Sequence, residues 1–167
     1  MSNNRSIWRT HGVRVVGSPM QRVTGTEEKG VSDATVLTFP RTGAKELSGG
    51  AVHLEPGVTT GPQHYGNVET VAVVTRGKLR VRWGEELEFG ADADTGDFVF
   101  LPPFVPHQQI NLSDDEPVEF AIFHSGQESE QVGLDIKPAE TFQMMNWEDP
   151  NHPMIGRAVL HGIRMDR

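Results

Sequence analysis

A block of fixed residue spacing near the middle of the chain constrains the fold more than any other feature. It combines a glycine, a proline, a histidine and an asparagine, at Gly96, Pro102, His107 and Asn111. Short apolar runs rich in β-branched residues surround this block, with glycine and proline between them. No long helical periodicity interrupts the runs, so the pattern predicts an all-β sandwich or barrel.

One of the apolar runs carries a clear strand signature. The segment Lys78–Trp83 alternates strictly between apolar and basic residues. Side chains alternate between the two faces of a strand, so this run predicts a strand with one face in the core and one face in water.

Composition narrows the class of protein. The chain has 167 residues, which suits one domain, and a net charge of −8 from 15 basic and 23 acidic residues. That balance disfavours nucleic acid or an anionic membrane as a partner. The chain contains no cysteine, so disulfides and thiolate chemistry are excluded. With no apolar signal-like segment and no apolar run of about 18 residues, a cytoplasmic protein is expected.

The central block resembles the second motif of the cupin superfamily, G-x5-P-x-G-x2-H-x3-N, with Phe104 in place of the middle glycine. An earlier block, from Gly57 to Gly77, resembles the first cupin motif, G-x5-H-x-H-x3,4-E-x6-G. Gln63 and Tyr65 stand at its two histidine positions. The resemblance implies a small single-domain cupin, a double-stranded β-helix or jelly-roll barrel.

The barrel is expected over residues 51–126, between two extensions. The N-terminal extension, residues 1–50, holds three short strand candidates at 7–8, 13–16 and 34–39. The C-terminal extension, residues 127–167, is expected to pack on the barrel or on a partner subunit. It holds a strand candidate at 132–136 and a short helix or turn at 139–147. The resemblance also implies a homodimer.

The acid position of the first motif is ambiguous. Counting forward from Gly57 reaches Glu69, whereas counting back from Gly77 reaches Thr70. A shift of one residue in a strand exchanges inward for outward. An acid among apolar neighbours favours Glu69 as a metal ligand, and an exposed glutamate at the start of the strand is the alternative.

His107 is the leading candidate residue, because the resemblance places it inside the barrel, where an imidazole can bind a metal or move a proton. His64, Glu69 and His107 together would form the two-histidine, one-carboxylate set that suits non-haem iron. Gln63 and Tyr65 with Glu69 and His107 would form a poorer site. The resemblance implies one divalent metal (iron, zinc, manganese or nickel), and a barrel without metal is the alternative.

Four further residues are expected to line the pocket: His53, His124, Phe100 and Phe104. The alternative is a core or rim position for the two histidines and ordinary core packing for the two phenylalanines. Such a pocket suits a small organic ligand. Two classes of function remain open. One is a metal-dependent enzyme of dioxygenase, isomerase or cyclase type, with His107 and Tyr65 in catalysis. The other is a metal-free barrel, either a binding module or an isomerase with His107 as base and Tyr65 as acid.

Overall fold

The computed structural model describes residues 4–17 and 28–145. Its elements follow in chain order: α1 (Asn4–His11), β1 (Val31–Leu37), α2 (Phe39–Thr42), β2 (Leu47–Leu54), β3 (Gln63–His64), β4 (Thr70–Arg76), β5 (Lys78–Trp83), β6 (Phe89–Asp94), β7 (Phe98–Leu101), β8 (His107–Asn111), β9 (Val118–Ser125), β10 (Val132–Gly133) and β11 (Gln143–Met144). Neither described helix has the length and apolar character needed to cross a membrane.

The strands form two sheets that enclose one core. The first sheet has the order β1-β2-β9-β4-β7, and the second has the order β10-β3-β8-β5-β6-β11. Apolar side chains of both sheets meet between them, with Leu54, Val74, Leu79 and Phe120 almost fully buried. The predicted all-β jelly roll is therefore confirmed.

Gly77 passes the chain from the first sheet to the second. It lies between β4 and β5 with a φ of 77°. A Cβ added there would stand 2.6 Å from the carbonyl oxygen of Pro117. The position therefore requires glycine on both conformational and steric grounds.

Asn111 ties two connections together, the one that follows β2 and the one between β8 and β9. Its side chain is buried, and its Nδ2 lies 3.2, 3.0 and 2.8 Å from the carbonyl oxygens of Leu54, Glu55 and Glu116. Its Oδ1 accepts a hydrogen bond from the backbone N–H of Ser113. The asparagine of the second motif therefore has a structural role in this chain, because it satisfies backbone groups that would otherwise be buried without partners.

The N-terminal extension differs from its prediction at two of the three strand candidates. Residues 7–8 fall in helix α1, so the strand expected there is wrong, and residues 13–16 form no strand. The candidate at 34–39 corresponds to β1, which pairs with β2 along the edge of the first sheet. The barrel thus begins before residue 51, because β1 completes one of its two sheets.

The C-terminal extension packs on its own barrel as far as residue 145. β10 pairs with β3, and β11 pairs in parallel with β6. The Phe142 ring lies 5.2 Å from the Arg80 guanidinium carbon and 4.6 Å from that of Arg82. These cation–π contacts cover the basic face of β5. A strand therefore replaces the helix or turn expected at 139–147, whose last two residues lie outside the described residues.

Candidate functional site

Pairing in the first sheet sets one wall of the site. His124 of β9 is the register partner of Thr70 on β4 and of Ser48 on β2. Thr70 is 1% exposed, and its Oγ1 lies 2.7 Å from the Nδ1 of His124. The two side chains therefore face the interior together, as directly opposed residues of neighbouring strands do.

Tyr65 joins this wall to the second sheet. Its ring centre lies 4.9 Å from that of His107 and 4.8 Å from that of His124. Its hydroxyl oxygen accepts hydrogen bonds from Nε2 of Gln109 at 3.1 Å and Nε2 of Gln63 at 3.4 Å. Both interactions use the oxygen as acceptor, which leaves the hydroxyl proton to be donated elsewhere.

A backbone contact fixes the tautomer of His107, and burial keeps its ring neutral. Its Nδ1 lies 3.0 Å from the carbonyl oxygen of Val105, and a carbonyl can only accept, so the proton sits on Nδ1. Burial lowers the pKa of His107 to about 4, which makes the ring neutral near pH 7. Its Nε2 is buried and has no hydrogen-bond partner among the described residues. The residue therefore presents an unmet acceptor beside the Tyr65 ring.

Burial shifts the pKa values of Tyr65 and His124 in the directions that favour their neutral forms. It raises the pKa of Tyr65 to about 12, with smaller contributions from the negative charges of Asp33 and Glu28. It lowers the pKa of His124. The phenol is therefore protonated and the imidazole neutral near pH 7, which are the states of a proton donor and a proton acceptor.

A cavity of about 160 Å³ opens beside these groups. Its lining includes Asp33, Gln63, Tyr65, Gln109, Ile122 and His124. It lies against β1 and β2 of the first sheet, whose residues form much of the wall. The volume suits a small polar molecule rather than a large aromatic one.

The preference for Glu69 at the acid position is wrong. Glu69 is exposed, and its backbone N–H and carbonyl both bond to Ser125. The next residue, Thr70, is the buried one. The first motif allows three or four residues between its second histidine position and its acid position. With four residues after Tyr65, the acid position is Thr70, which is also the position reached by counting back from Gly77.

The set of His64, Glu69 and His107 is not brought together. Nδ1 of His64 accepts the Gly66 N–H at 2.9 Å, and its ring lies edge-on to Phe104 at 5.7 Å. Gln63 does point inward, opposite His107, and its Oε1 accepts a hydrogen bond from Gln131. Within residues 4–17 and 28–145, no group of three or more histidine, aspartate or glutamate residues could hold a metal.

The donors at the motif positions do not suit a divalent metal. Only His107, with its unpaired Nε2, resembles a prepared ligand. Gln63 and Thr70 offer neutral oxygens, and Tyr65 must lose a proton whose pKa is raised to about 12. Divalent metals in such sites prefer several imidazoles or carboxylates. This donor set therefore does not fit the divalent metal that the motif resemblance implies.

Three of the four expected pocket residues lie elsewhere. His53 is on the outer side of β2, 3.3 Å from Glu119 and 3.5 Å from Glu55. Phe100 and Phe104 are each 57% exposed, and neither lines the cavity. Alternation along β7 turns Phe100 outward, because its neighbour Leu101 packs in the core. The fourth, His124, does line the cavity.

Sequence reasoning missed Gln109 and Asp33. Gln109 follows the motif histidine by two residues and so shares its inward face, a signal that alternation could have supplied. Asp33 lies in a polar stretch outside both motifs, and only the pairing of β1 with β2 places it beside the cavity.

Residues 50–124 match the family model described as Cupin domain. This part of the chain is a cupin domain. The match covers most of the two sheets and includes every motif position discussed above from Gly57 to Asn111. No curated protein is significantly similar to the chain in sequence.

Solved structures share the cupin architecture. The polyketide cyclase RemF from Streptomyces resistomycificus aligns over 89% of this chain and 96% of its own, with a TM-score of 0.61 and 14% identity. A conserved double-stranded β-helix protein from Klebsiella pneumoniae aligns over 74% and 98%, with a TM-score of 0.59 and 15% identity. An oxalate oxidase aligns over 71% of this chain and 62% of its own length, with a TM-score of 0.60 and 18% identity. At these identities the likeness shows the fold alone.

Proposed function

We propose that this cupin binds a small polar organic molecule in its cavity and moves a proton to or from it without a metal ion. The observation that carries the proposal is the environment of Tyr65, a protonated phenol between two neutral imidazoles. The cupin superfamily includes enzymes, and the neighbours include a cyclase and an oxidase by name. The reaction class proposed here is proton transfer, as in an isomerisation.

Tyr65 is the proposed acid. Its oxygen already accepts from Gln63 and Gln109, so its proton is the part of the group left for a ligand. A hydroxyl held by two amide donors is also fixed in position, which favours proton transfer over a short, defined distance. The same two donors would stabilise negative charge that develops on the oxygen as the proton leaves.

An imidazole is the proposed base. His124 lines the cavity, and its ring is oriented by the contact with Thr70. The ring of His107 also contacts the Tyr65 ring, and its Nε2 holds a lone pair. We assign proton abstraction to His124 because it borders the cavity, and we assign His107 a positioning role behind Tyr65.

The activities named for the structural neighbours do not transfer directly. Oxalate carries two negative charges, whereas the described lining includes Glu28 and Asp33 and no lysine or arginine. A polyketide is also large relative to a cavity of about 160 Å³. A small molecule with hydroxyl or carbonyl groups fits the amide, phenol and imidazole groups better.

Deuterium exchange tests the proposed chemistry. The protein is incubated in D₂O with a panel of small hydroxyketones, aldoses and ketoses, with and without an amino group, and carbon-bound deuterium is measured by mass spectrometry. We expect incorporation with the wild type and a loss of about 100-fold or more in Tyr65→Phe, since removing a general acid typically has an effect of that size. Phenylalanine keeps the ring contacts with both histidines and removes only the hydroxyl.

A matched comparison assigns the base. His124→Gln is expected to lose exchange, whereas His107→Gln is expected to keep a measurable part of it. Ligand binding without exchange in the wild type would contradict catalysis and leave a binding module. About one equivalent of tightly bound metal in protein made without a histidine tag would contradict the metal-free site.

A further inference from the structure

Asp33 brings a carboxylate to the cavity from outside the cupin motifs. It lies on β1 opposite Val52, a buried residue of β2 that faces the core. Paired residues of neighbouring strands point to the same side, so Asp33 faces the interior. It is half-buried and lines the cavity with Tyr65 and His124.

Two carboxylates give the described lining of the cavity a negative charge. Its described lining includes two acids, Glu28 and Asp33, and no lysine or arginine. Oε1 of Glu28 accepts the backbone N–H of Gly61 at 2.8 Å, so this carboxylate already has a structural contact. Asp33 is therefore the acid best placed to meet a ligand.

The surroundings of Asp33 favour a charged partner. Burial removes part of its hydration and raises its pKa, so its ionised form is held at a disadvantage in the free protein. An ammonium group beside the carboxylate would offset that loss through a charge-assisted hydrogen bond.

We infer that Asp33 determines ligand charge in this cupin, as the counter-ion for an ammonium group on a small hydroxylated organic cation. This inference deepens the proposed function and uses the same cavity. The ammonium would bind at Asp33 on β1, and the hydroxyl end would reach the phenol of Tyr65. Small anions would be disfavoured by the charge of Asp33.

Three probes of similar size and different charge test the inference. Ethanolamine is a cation, ethylene glycol is neutral and glycolate is an anion, and each carries a hydroxyl. Binding is followed by changes in the protein's NMR spectrum, because fragments of this size are expected to bind at about millimolar affinity. We expect ethanolamine to bind about tenfold more tightly than ethylene glycol, and glycolate not to bind.

Variants assign the preference to one residue. Asp33→Asn keeps the shape of the side chain and is expected to lose the tenfold preference for ethanolamine while it keeps weak binding of ethylene glycol. Glu28→Gln is expected to reduce the preference less. Glu119→Gln, on the outer face beside His53, removes one negative charge from the protein and is expected to change nothing at the cavity.

Several results would overturn the inference. These are an unchanged preference in folded Asp33→Asn, tighter binding of glycolate or ethylene glycol than of ethanolamine, and no ethanolamine binding up to about 50 mM. Exchange chemistry is not needed for this readout. A failed deuterium assay with intact charge preference would reject the catalytic proposal alone, and the reverse pair of results would reject the role of Asp33 alone.

Discussion

At the residue scale, the site is defined by neutral side chains in places where the cupin motifs carry metal ligands. Gln63, Tyr65 and Thr70 stand at those places, and each is engaged in hydrogen bonds with a neighbour. His107 alone retains the motif identity, and its neutral, buried ring is held by the Val105 carbonyl. The polar side chains of the site therefore bond to one another.

The buried His107 makes folding stability depend on pH. Its pKa is about 4 in the folded protein and 6.5 ordinarily, so between these values the unfolded chain binds the proton more readily. Stability from this group is complete above pH 6.5 and is lost as the pH falls toward 4. We expect His107 alone to account for a loss of about 2 kcal/mol between pH 7 and pH 5.

Urea unfolding at the two pH values measures this effect. His107→Gln should show a smaller loss of unfolding free energy than the wild type, by about 2 kcal/mol. His11→Gln is the matched control, because His11 lies at the surface of α1 and should leave the wild-type slope in place. Equal slopes for His107→Gln and the wild type would contradict the prediction.

At the element scale, the turn before β8 keeps the backbone of the cupin motif although its residue has changed. Phe104 replaces the motif glycine, yet its φ is 60°, in the left-handed region. Its N–H bonds to the Gly66 carbonyl oxygen at 3.0 Å, and its ring contacts His64. These contacts hold a conformation that is unfavourable for a residue with a side chain.

Two substitutions at Phe104 distinguish the effect of backbone strain on stability from the effect of the ring contact with His64. Phe104→Gly and Phe104→Ala both remove the contact with His64, but only glycine relieves the left-handed strain. We expect the glycine variant to be more stable than the alanine variant by about 1 kcal/mol, after its greater freedom in the unfolded state is subtracted. Thermal unfolding of the pair decides this, and an alanine variant of equal or higher stability would refute it.

At the scale of the whole molecule, part of the outer side of the first sheet is apolar, away from the charged groups around His53. Phe100 is paired with Val71, which is also paired with Phe123. Phe98 and Phe100 are 74% and 57% exposed, and Phe123 is 39% exposed. A contiguous apolar sheet face of this kind is typical of a protein interface. The homodimer stays a prediction, and this face is where we expect it to form.

One substitution tests the interface. Phe100→Glu places a charge in the middle of the face and is expected to convert a dimer to a monomer, since burying an unpaired carboxylate is strongly unfavourable. Leu112→Glu, which changes an exposed apolar residue just after β8, should leave the dimer intact. Light scattering after gel filtration gives both masses, and an unaltered mass for Phe100→Glu would exclude this face.

Local patterns in the sequence were enough to predict the architecture of this protein. Strand alternation in Lys78–Trp83, the glycine at the Gly77 crossover and the spacing from Gly96 to Asn111 are local constraints, so the order of the residues alone reveals them. The inward direction of His107 was expected from the motif resemblance, whereas the choice between His64 and Gln63 depended on the structure, which buries Gln63. The strand predicted at residues 7–8 was wrong, because the apolar residues there also suit one turn of an amphipathic helix.

The chemistry of the site depends on contacts between strands that are far apart in sequence. The choice between Glu69 and Thr70 depended on strand register, where one residue reverses the direction of a side chain. The contact of Thr70 with His124 and the arrival of Asp33 at the cavity both depend on pairing between strands far apart in sequence. Such pairing is set by the packing of the whole barrel, so no local pattern specifies which polar groups meet inside it.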